Sequence, residues 1–361
     1  MRALDRGAAR RSITEDELIA AIVDALGAPP RTLRLGIGDD AAVWKVSSHH
    51  LSLLTTDMLV DGVHFRLAAT SPQALGRKAL AENLSDIAAM GGWPTVAVIA
   101  LGLTDQVDET WVRGLYAGIA SLATEARCAI AGGDIVRAPA VTLGVTVVGE
   151  VRRTQLRTRA GARPGDIAAV TGPLGRAAAG LRLLDNPGMQ SRALERGHVA
   201  LERSSSQDYS TLLRAAYLEP IARLREGRYL ASRRAVRAMM DISDGLSTDA
   251  TRMARASGVD VVLDAAALAP DPALAAAAAA LGADAMDLVL NGGDDYELLA
   301  AVEPRVFKHI AAGFAKRFGR PLLAVGRFEK GSGRAWVERL GKREAVAPSG
   351  YNHLRKTKSP T

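Results

Sequence analysis

The residues in this chain best equipped for chemistry are carboxylates grouped with glycines. Gly36-Ile-Gly-Asp-Asp40 sets two glycines before two adjacent acids. Gly36 and Gly38 permit a tight turn and a close backbone approach to a ligand. Asp39 and Asp40 repel each other unless something positive lies beside them. Taken alone, the motif also suits a polar turn between two strands. It recurs, however, as Thr55-Thr56-Asp57, Gly132-Gly133-Asp134, Asp241-Ile-Ser-Asp244 and Gly292-Gly293-Asp294-Asp295, each following or interrupting an apolar, strand-like run. A fold gains nothing structural from carboxylates at so many strand ends. A site that collects hard cations does.

Oxygen-only donors in number favour Mg²⁺ over zinc or copper. Enzymes hold Mg²⁺ most often with a few carboxylates and the substrate's phosphates, so the implied ligand is a nucleoside triphosphate or a similar polyphosphate. The chain has no Gly-x-x-x-x-Gly-Lys-[Ser/Thr] loop and no protein-kinase motif set. Gly36-x-Gly38-x-x-Ala41 matches a dinucleotide fingerprint only superficially, because the acids inside it would repel a pyrophosphate. A Gly-x-Ser-x-Gly elbow is missing, and a glycosidase would need only two carboxylates and no glycine pairs. Phosphoryl transfer accounts for both features: cations neutralise the triphosphate, and glycines let backbone N–H groups reach its oxygens.

The elements that must carry these groups follow from periodicity and punctuation. At 361 residues, two domains are expected. Residues 1–12 read as a mobile basic N-terminus, 13–151 as a first domain, 152–345 as a second and 346–361 as a tail. Thr14-Glu-Asp-Glu17 is a capping box that opens a helix over 14–27. Strands are expected near 42–46 and 51–56, the second delivering Asp57 at its end. A helix over 73–90 places Asn83 and Asp86 on one face, beside the apolar stripe of Leu80, Leu84 and Ile87. Strand 95–103, helix 108–124, strand 128–131 ending in Gly132-Gly133-Asp134, and strand 141–151 complete the first half. In the second half we expect strand 166–171, helix 174–184, an irregular mobile connection over 185–210, and a basic helix over 224–240. These lead to helix 246–256, strand 259–263, an alanine-rich helix opened by Asp271-Pro272, strand 297–302, helix 307–318, and strands 322–328 and 334–338.

Composition narrows the class further. Charged residues make up 24% and hydrophobic residues 48%, as in ordinary globular proteins, but aromatics are only 4%, so the core must be aliphatic. The single Cys128 excludes an intramolecular disulfide and a cysteine-based zinc site, and it sits in an apolar run as a buried spectator. No apolar run reaches membrane-spanning length and no signal-peptide core follows Met1, so a cytoplasmic location is expected. The net charge of +7 collects at 2–11, 223–237 and 355–358. These runs carry no interleaved aromatics and no nucleic-acid recognition motif, so an anionic small substrate is preferred to a specific nucleic acid.

Seven motifs then occur in one order. They are Gly36-Ile-Gly-Asp-Asp-Ala41, Thr55-Thr-Asp-Met-Leu-Val-Asp-Gly-Val-His-Phe65, Lys78-Ala-Leu-Ala-Glu-Asn-Leu-Ser-Asp-Ile-Ala-Ala-Met-Gly91, Gly132-Gly-Asp134, Arg159-Ala-Gly-Ala-Arg-Pro-Gly-Asp166, Asp241-Ile-Ser-Asp-Gly-Leu246 and Gly292-Gly-Asp-Asp-Tyr-Glu-Leu298. Together they resemble the thiamine-monophosphate kinase family, of the aminoimidazole ribonucleotide synthetase-like superfamily, over about residues 14–354. The resemblance implies an α+β fold of two domains: an N-terminal α+β domain that dimerises through its sheet, and a C-terminal α/β domain. It implies a homodimer that transfers phosphate from ATP directly to thiamine monophosphate, giving ADP and thiamine diphosphate with several Mg²⁺ ions and no phosphoenzyme. Because the acceptor phosphate is already an anion, no strong general base is required.

By motif, Asp40, Thr55, Thr56, Asp57, Asp86, Asp134, Asp241 and Asp244 would hold metal. Gly133, Asp134, Arg159 and Ser243 would contact ATP, and His64, Asp294 and Tyr351 would contact thiamine monophosphate. Asp57, Asp134, Asp244 and Arg159 would carry the catalysis, with Asp39 in a supporting place. Three positions depart from the family pattern: Asp294 stands where Glu is usual, Asn352 where Asp is usual, and Ala222 where the second proline of Pro-x-Pro-Arg is usual. Selenophosphate synthetase would bring an N-terminal Cys or selenocysteine before Lys, and the hydrogenase-maturation relative a C-terminal Cys; this chain has neither. A non-catalytic nucleotide sensor would not need the intact carboxylate set.

Overall fold

Alternation of Val, Leu and Ile with small or polar residues builds the first sheet. The computed structural model describes residues 33–35, 42–45, 49–186 and 203–346. The expected helix over 14–27, the acidic turn with Asp39 and Asp40, and the tail with Tyr351 and Asn352 lie outside the described residues. The strands are β1 (Leu33–Leu35), β2 (Ala42–Lys45), β3 (His50–Val60), β4 (Trp93–Leu103), β5 (Ala129–Arg137) and β6 (Thr142–Arg152), ordered β1-β2-β3-β6-β4-β5. Pairing is antiparallel except between β4 and β5.

Two helices cover the inner face, α1 (Pro72–Ala89) and α2 (Glu109–Ala126). Ser71 caps α1 by accepting from the Ala74 N–H at 3.2 Å, with Pro72 in the first turn. Asp108 caps α2 by accepting from Trp111 N at 2.8 Å. Helix α1 is buried on nearly every side, including at Lys78, Glu82, Asn83 and Ser85. A helix with polar groups that deep needs partners for each of them.

The second sheet comprises β7 (Ile167–Val170), β8 (Val236–Ile242), β9 (Val259–Asp264), β10 (Glu297–Val302), β11 (Leu323–Lys330), β12 (Ala335–Arg339) and β13 (Lys342–Ala345). Its order is β13-β12-β9-β11-β7-β10-β8, parallel only between β9 and β12. Among the described residues, seven helices accompany it: α3 (Arg176–Asp185), α4 (Arg203–Leu218), α5 (Leu224–Ala231), α6 (Leu246–Ser257), α7 (Pro272–Leu281), α8 (Ala285–Asn291) and α9 (Pro304–Phe318). One aliphatic core lies inside this half, between the sheet and α3, α6, α7 and α8. The other runs from the first sheet through α1 to β8, β10, α5 and α9, so the two halves share it. No single described helix is long and apolar enough to cross a membrane; α7 and α8 qualify only as a pair bent by 113°.

Several expectations are corrected. Asp57 and Asp134 do not end their strands. Each sits inside a longer one, because Leu59-Val60 and Ile135-Val136 continue the pairing beyond them. The basic helix expected over 224–240 stops at Ala231, where the backbone closes on itself through Ser232 N to Arg228 O. Residues 236–242 are instead a buried edge strand against β10. The run Val236-Arg-Ala-Met-Met-Asp-Ile242 carries no period that separates helix from strand. The connection expected to be irregular over 185–210 gives way to α4 from Arg203, and α8 and β13 are elements beyond those expected.

Candidate active site

Acidic groups from both halves converge on one cavity of about 310 Å³. From the first half come Asp57 on β3, His64 in the following turn, and Lys78, Glu82 and Asp86 on α1. From the second come Asp241 at the end of β8, Ser243 and Asp244 in the next turn, and Asp294 and Tyr296 before β10. Tyr217 of α4 closes one side. Asp57, Asp86, Asp241, Asp244, Ser243, His64 and Asp294, all singled out in the sequence, are therefore brought together.

The two glycine-acid turns of the second half lock together by backbone. Asp294 N donates to Ser243 O at 2.8 Å and Tyr296 N to Ile242 O at 2.9 Å. A Cβ at Gly293 would lie 2.7 Å from Ser243 O, so only glycine permits this approach. Asp294 and Tyr296 take positive φ values of 65° and 49°, an uncommon conformation that the surrounding turn must hold. Asp249, buried on α6, accepts from Ser243 N at 3.1 Å and Asp244 N at 3.0 Å, and Arg252 binds both Asp244 and Asp249. On the other wall, Asp86 accepts a short hydrogen bond from Thr55 Oγ1, and Asp241 accepts from Ser85 Oγ at 2.6 Å.

Lys78 is the cation of the site. Its side chain is buried, its Nζ lies 2.7 Å from Asp294 and 3.8 Å from Glu82, and it sits 3.8 Å from the centroid of the Tyr217 ring. Burial works against its charge, but Asp294 and Glu82 overcome this and raise its pKa. Glu82 is pushed up to about 8 by burial, offset in part by Lys78 and reinforced by Asp294 and Asp57. Tyr217 donates to His64 O at 2.8 Å, and Val60 N donates to His64 Nδ1 at 3.0 Å. Nδ1 is thus an acceptor, which places the ring's proton on Nε2. Asp295 faces away, capping the start of α3 through Gly175 N at 2.6 Å, and burial pushes it up to about 8.

Other predicted residues lie elsewhere. In the sheet register, Thr55 and Asp57 share the inner face, whereas Thr56 falls on the outer face with its hydroxyl against Val145 O and Thr146 Oγ1. Asp134 shares its row with Ala100, Gly144 and Met58 on that outer face, and its carboxylate accepts from Ile135 N at 2.9 Å. Gly133 lies in the row of Asp57 but three strands away, a span of about 14 Å at ordinary strand spacing. A Cβ there would meet Ile99 O at 1.8 Å. Arg159 sits in the loop alongside α6, where its carbonyl accepts from Ser257 Oγ at 3.2 Å, outside the cavity lining. Asn83 is buried, with its amide nitrogen donating to Ala79 O, and does not line the cavity. Lys78, Glu82, Tyr217, Tyr296 and Asp249 were not singled out from sequence. The i, i+4, i+8 spacing of Lys78, Glu82 and Asp86 was the signal available for three of this wall's groups.

The donor set suits a hard cation. Of the six carboxylates that line the cavity, Asp57, Asp86, Asp241 and Asp244 offer an ion oxygen donors only. Among the described residues, no group of three or more His, Cys, Asp or Glu side chains is gathered closely enough to hold a metal alone. The geometry therefore fits an ion that shares its coordination with substrate oxygens.

Residues 38–151 match the family model of the AIR synthase related protein N-terminal domain, and 163–333 that of the C-terminal domain. Thiamine-monophosphate kinase of Mycobacterium tuberculosis is 38% identical over 272 residues, 75% of each chain. The Aquifex aeolicus enzyme of that name is 34% identical over 321 residues, covering 88% of this chain and 92% of its own.

The chain belongs to the thiamine-monophosphate kinase family.

A solved structure of AaThiL complexed with AMPPCP and TMP superposes with a TM-score of 0.78 at 30% identity, covering 97% of this chain and all of that one. As a member of that family, the chain has its two-domain mixed α and β architecture.

Proposed function

We propose that the chain transfers the γ-phosphoryl group of ATP directly to thiamine monophosphate, the last step in making thiamine diphosphate. The observation that carries this reading is the convergence of Asp57, Asp86, Asp241 and Asp244 with Ser243, His64, Lys78 and Asp294 on one cavity. Thiamine monophosphate combines a cationic thiazolium and an aminopyrimidine with an anionic phosphate. Asp294 is a carboxylate partner for its positive part, and the Nε2–H of His64 is a donor for an oxygen. An acceptor phosphate oxygen attacks Pγ, that new P–O bond forms, and the bond from Pγ to the β,γ-bridging oxygen breaks with ADP leaving. No base is needed, because the attacking oxygen carries no proton to remove at neutral pH.

The four aspartates would hold Mg²⁺, and the bound ions would supply charge neutralisation of both polyanions. The chain's own task is placement. Asp249 fixes the Ser243-Asp244 turn, Thr55 and Ser85 orient Asp86 and Asp241, and Lys78 fixes Asp294. Asp40 and Tyr351 join this reading as metal and substrate contacts from outside the described residues.

The reading includes a homodimer formed through the first sheet. Leu54, Met58, Val98 and Val136 fall on its outer face with 36%, 60%, 42% and 54% exposure. Apolar side chains grouped this way are what a second copy would cover. Thr56 and Asp134 lie on that same face, so their roles as metal ligands, with Gly133 and Arg159 at ATP, require the assembled dimer or a closed state. We place the reaction in the cytoplasm.

A single-turnover experiment with γ-labelled ATP, Mg²⁺ and thiamine monophosphate tests direct transfer. Label is expected to pass to thiamine diphosphate with none on acid-precipitated protein. Label on the protein that appears and decays at the turnover rate would refute it.

A further inference from the structure

A second recess of about 1060 Å³ opens between the two halves and shares no lining residue with the acidic cavity. Five arginines line it: Arg127 at the end of α2, Arg225 and Arg228 on α5, Arg233 just beyond it, and Arg317 in the last turn of α9. Its single acidic lining residue, Glu125, is bound by Arg77 at 2.9 Å. None of the five arginines forms an ion pair with a described residue, whereas Arg223, Arg237 and Arg252 nearby in sequence all do.

Aromatic rings flank three of these arginines, Arg317 lying 5.8 Å from the Phe318 centroid. The Arg233 guanidinium lies 3.5 Å from the Tyr229 centroid and that of Arg228 lies 5.3 Å from Trp93. Tyr229 is itself held by edge contacts with Phe314 and Phe318 and by its hydroxyl donating to Ile310 O at 3.0 Å. Arg233 Nη1 also donates to Tyr229 O at 2.7 Å and to Ser232 Oγ; a guanidinium held this way loses little further freedom when its remaining N–H groups meet an anion. Five such positive charges in one recess repel one another unless an anion of comparable charge sits among them.

We propose that this recess is a binding site for a small-molecule polyphosphate, such as a nucleoside polyphosphate or inorganic polyphosphate, separate from the catalytic cavity. Phosphate chains match the arginine fork two oxygens at a time. The recess is open, and its arginines come from α2, α5 and α9 as a cluster rather than from one helix face, which suits a compact anion better than a nucleic-acid strand.

The site is tested on the full chain by calorimetric titration with ATP and, separately, inorganic triphosphate, in EDTA at low salt. Without metal ions, the carboxylates of the catalytic cavity repel a triphosphate, so binding reports the arginine recess and needs no turnover. One molecule per chain is expected, with affinity falling at least tenfold in the double variant Arg228→Ala/Arg233→Ala and unchanged in Asp57→Ala. Equal affinities for the two anions would mean that phosphates alone are read; tighter ATP would assign its source as a nucleotide. The unfolding midpoint of the double variant is expected to match the parent, which keeps a loss of binding interpretable. No binding by the parent, equal binding by the double variant, or tighter binding in Asp57→Ala would overturn the proposal. So would a short single-stranded RNA binding more than tenfold more tightly than ATP.

Discussion

Replacing Lys78 with Met removes one charge from a buried set and leaves the hydrocarbon stem in place. In the parent, Nζ pairs with Asp294 at 2.7 Å, approaches Glu82 at 3.8 Å, and lies over the Tyr217 ring. Breaking a buried pair by deleting one partner costs about 3–5 kcal/mol, because the other charge stays behind uncompensated. Two features set the value at the lower end. Glu82, already pushed up to about 8, loses the cation that favours its ionised form and stays protonated at neutral pH. The Asp294 side chain retains 35% exposure toward the cavity, so water can reach it. We expect a loss of about 3 kcal/mol, read as a lower urea midpoint at unchanged slope. Asp294→Asn then removes the stranded charge, so Lys78→Met/Asp294→Asn should recover at least ~1.5 kcal/mol relative to additivity. A loss below about 1 kcal/mol in Lys78→Met, or strict additivity in the double variant, would refute the assignment of Lys78 as the charge that stabilises this wall.

Four further outcomes follow from the same geometry. Asp57→Ala and Asp244→Ala should each abolish thiamine diphosphate formation with a parent-like circular dichroism spectrum; normal turnover in both would remove the metal assignment. Tyr217→Phe loses the hydrogen bond to His64 O, and the KM for thiamine monophosphate should rise about threefold to tenfold, corresponding to roughly 1 kcal/mol, with kcat changed less. Glu82 has a folded-state pKa raised above its unfolded value, so its stabilising contribution is complete below about pH 4.5 and is lost as pH rises through about 8. Glu82→Gln removes that slope, so its stability relative to the parent should improve by about 2–4 kcal/mol between pH 5 and 8.5 in EDTA; a pH-independent difference would contradict the buried-acid reading. Cys128 is buried and its thiol pushed up to about 11, so it should resist thiol reagents at pH 8 until the chain unfolds.

The carboxylate turns were legible because glycine and acid together are costly anywhere but at a site. Their convergence was not, since it depends on which face of a strand each residue occupies. Thr55 and Asp57 face inward and Thr56 outward, a consequence of period-two alternation once the strand is known to run on to Val60. The same parity puts Asp134 on the outer face. Strand 236–242 could not be separated from the preceding helix because Val-Arg-Ala-Met-Met lacks β-branched alternation, and only pairing with β10 decides it. Lys78 reads as an ordinary helix-surface lysine from sequence. Its burial arises only when α1 is enclosed by the sheet, α2 and the second half. Asp249 is illegible for a similar reason: its role is to accept from the Ser243 and Asp244 N–H groups of a neighbouring turn, and it belongs to no motif of its own.

The most direct test is a product assay. ATP, Mg²⁺ and the full chain are incubated with and without thiamine monophosphate, and ADP and the thiamine species are resolved by chromatography. The account predicts thiamine diphosphate formed one-for-one with ADP, and neither product in EDTA. ADP formation indifferent to thiamine monophosphate, or no ATP turnover with Mg²⁺ present, would contradict it.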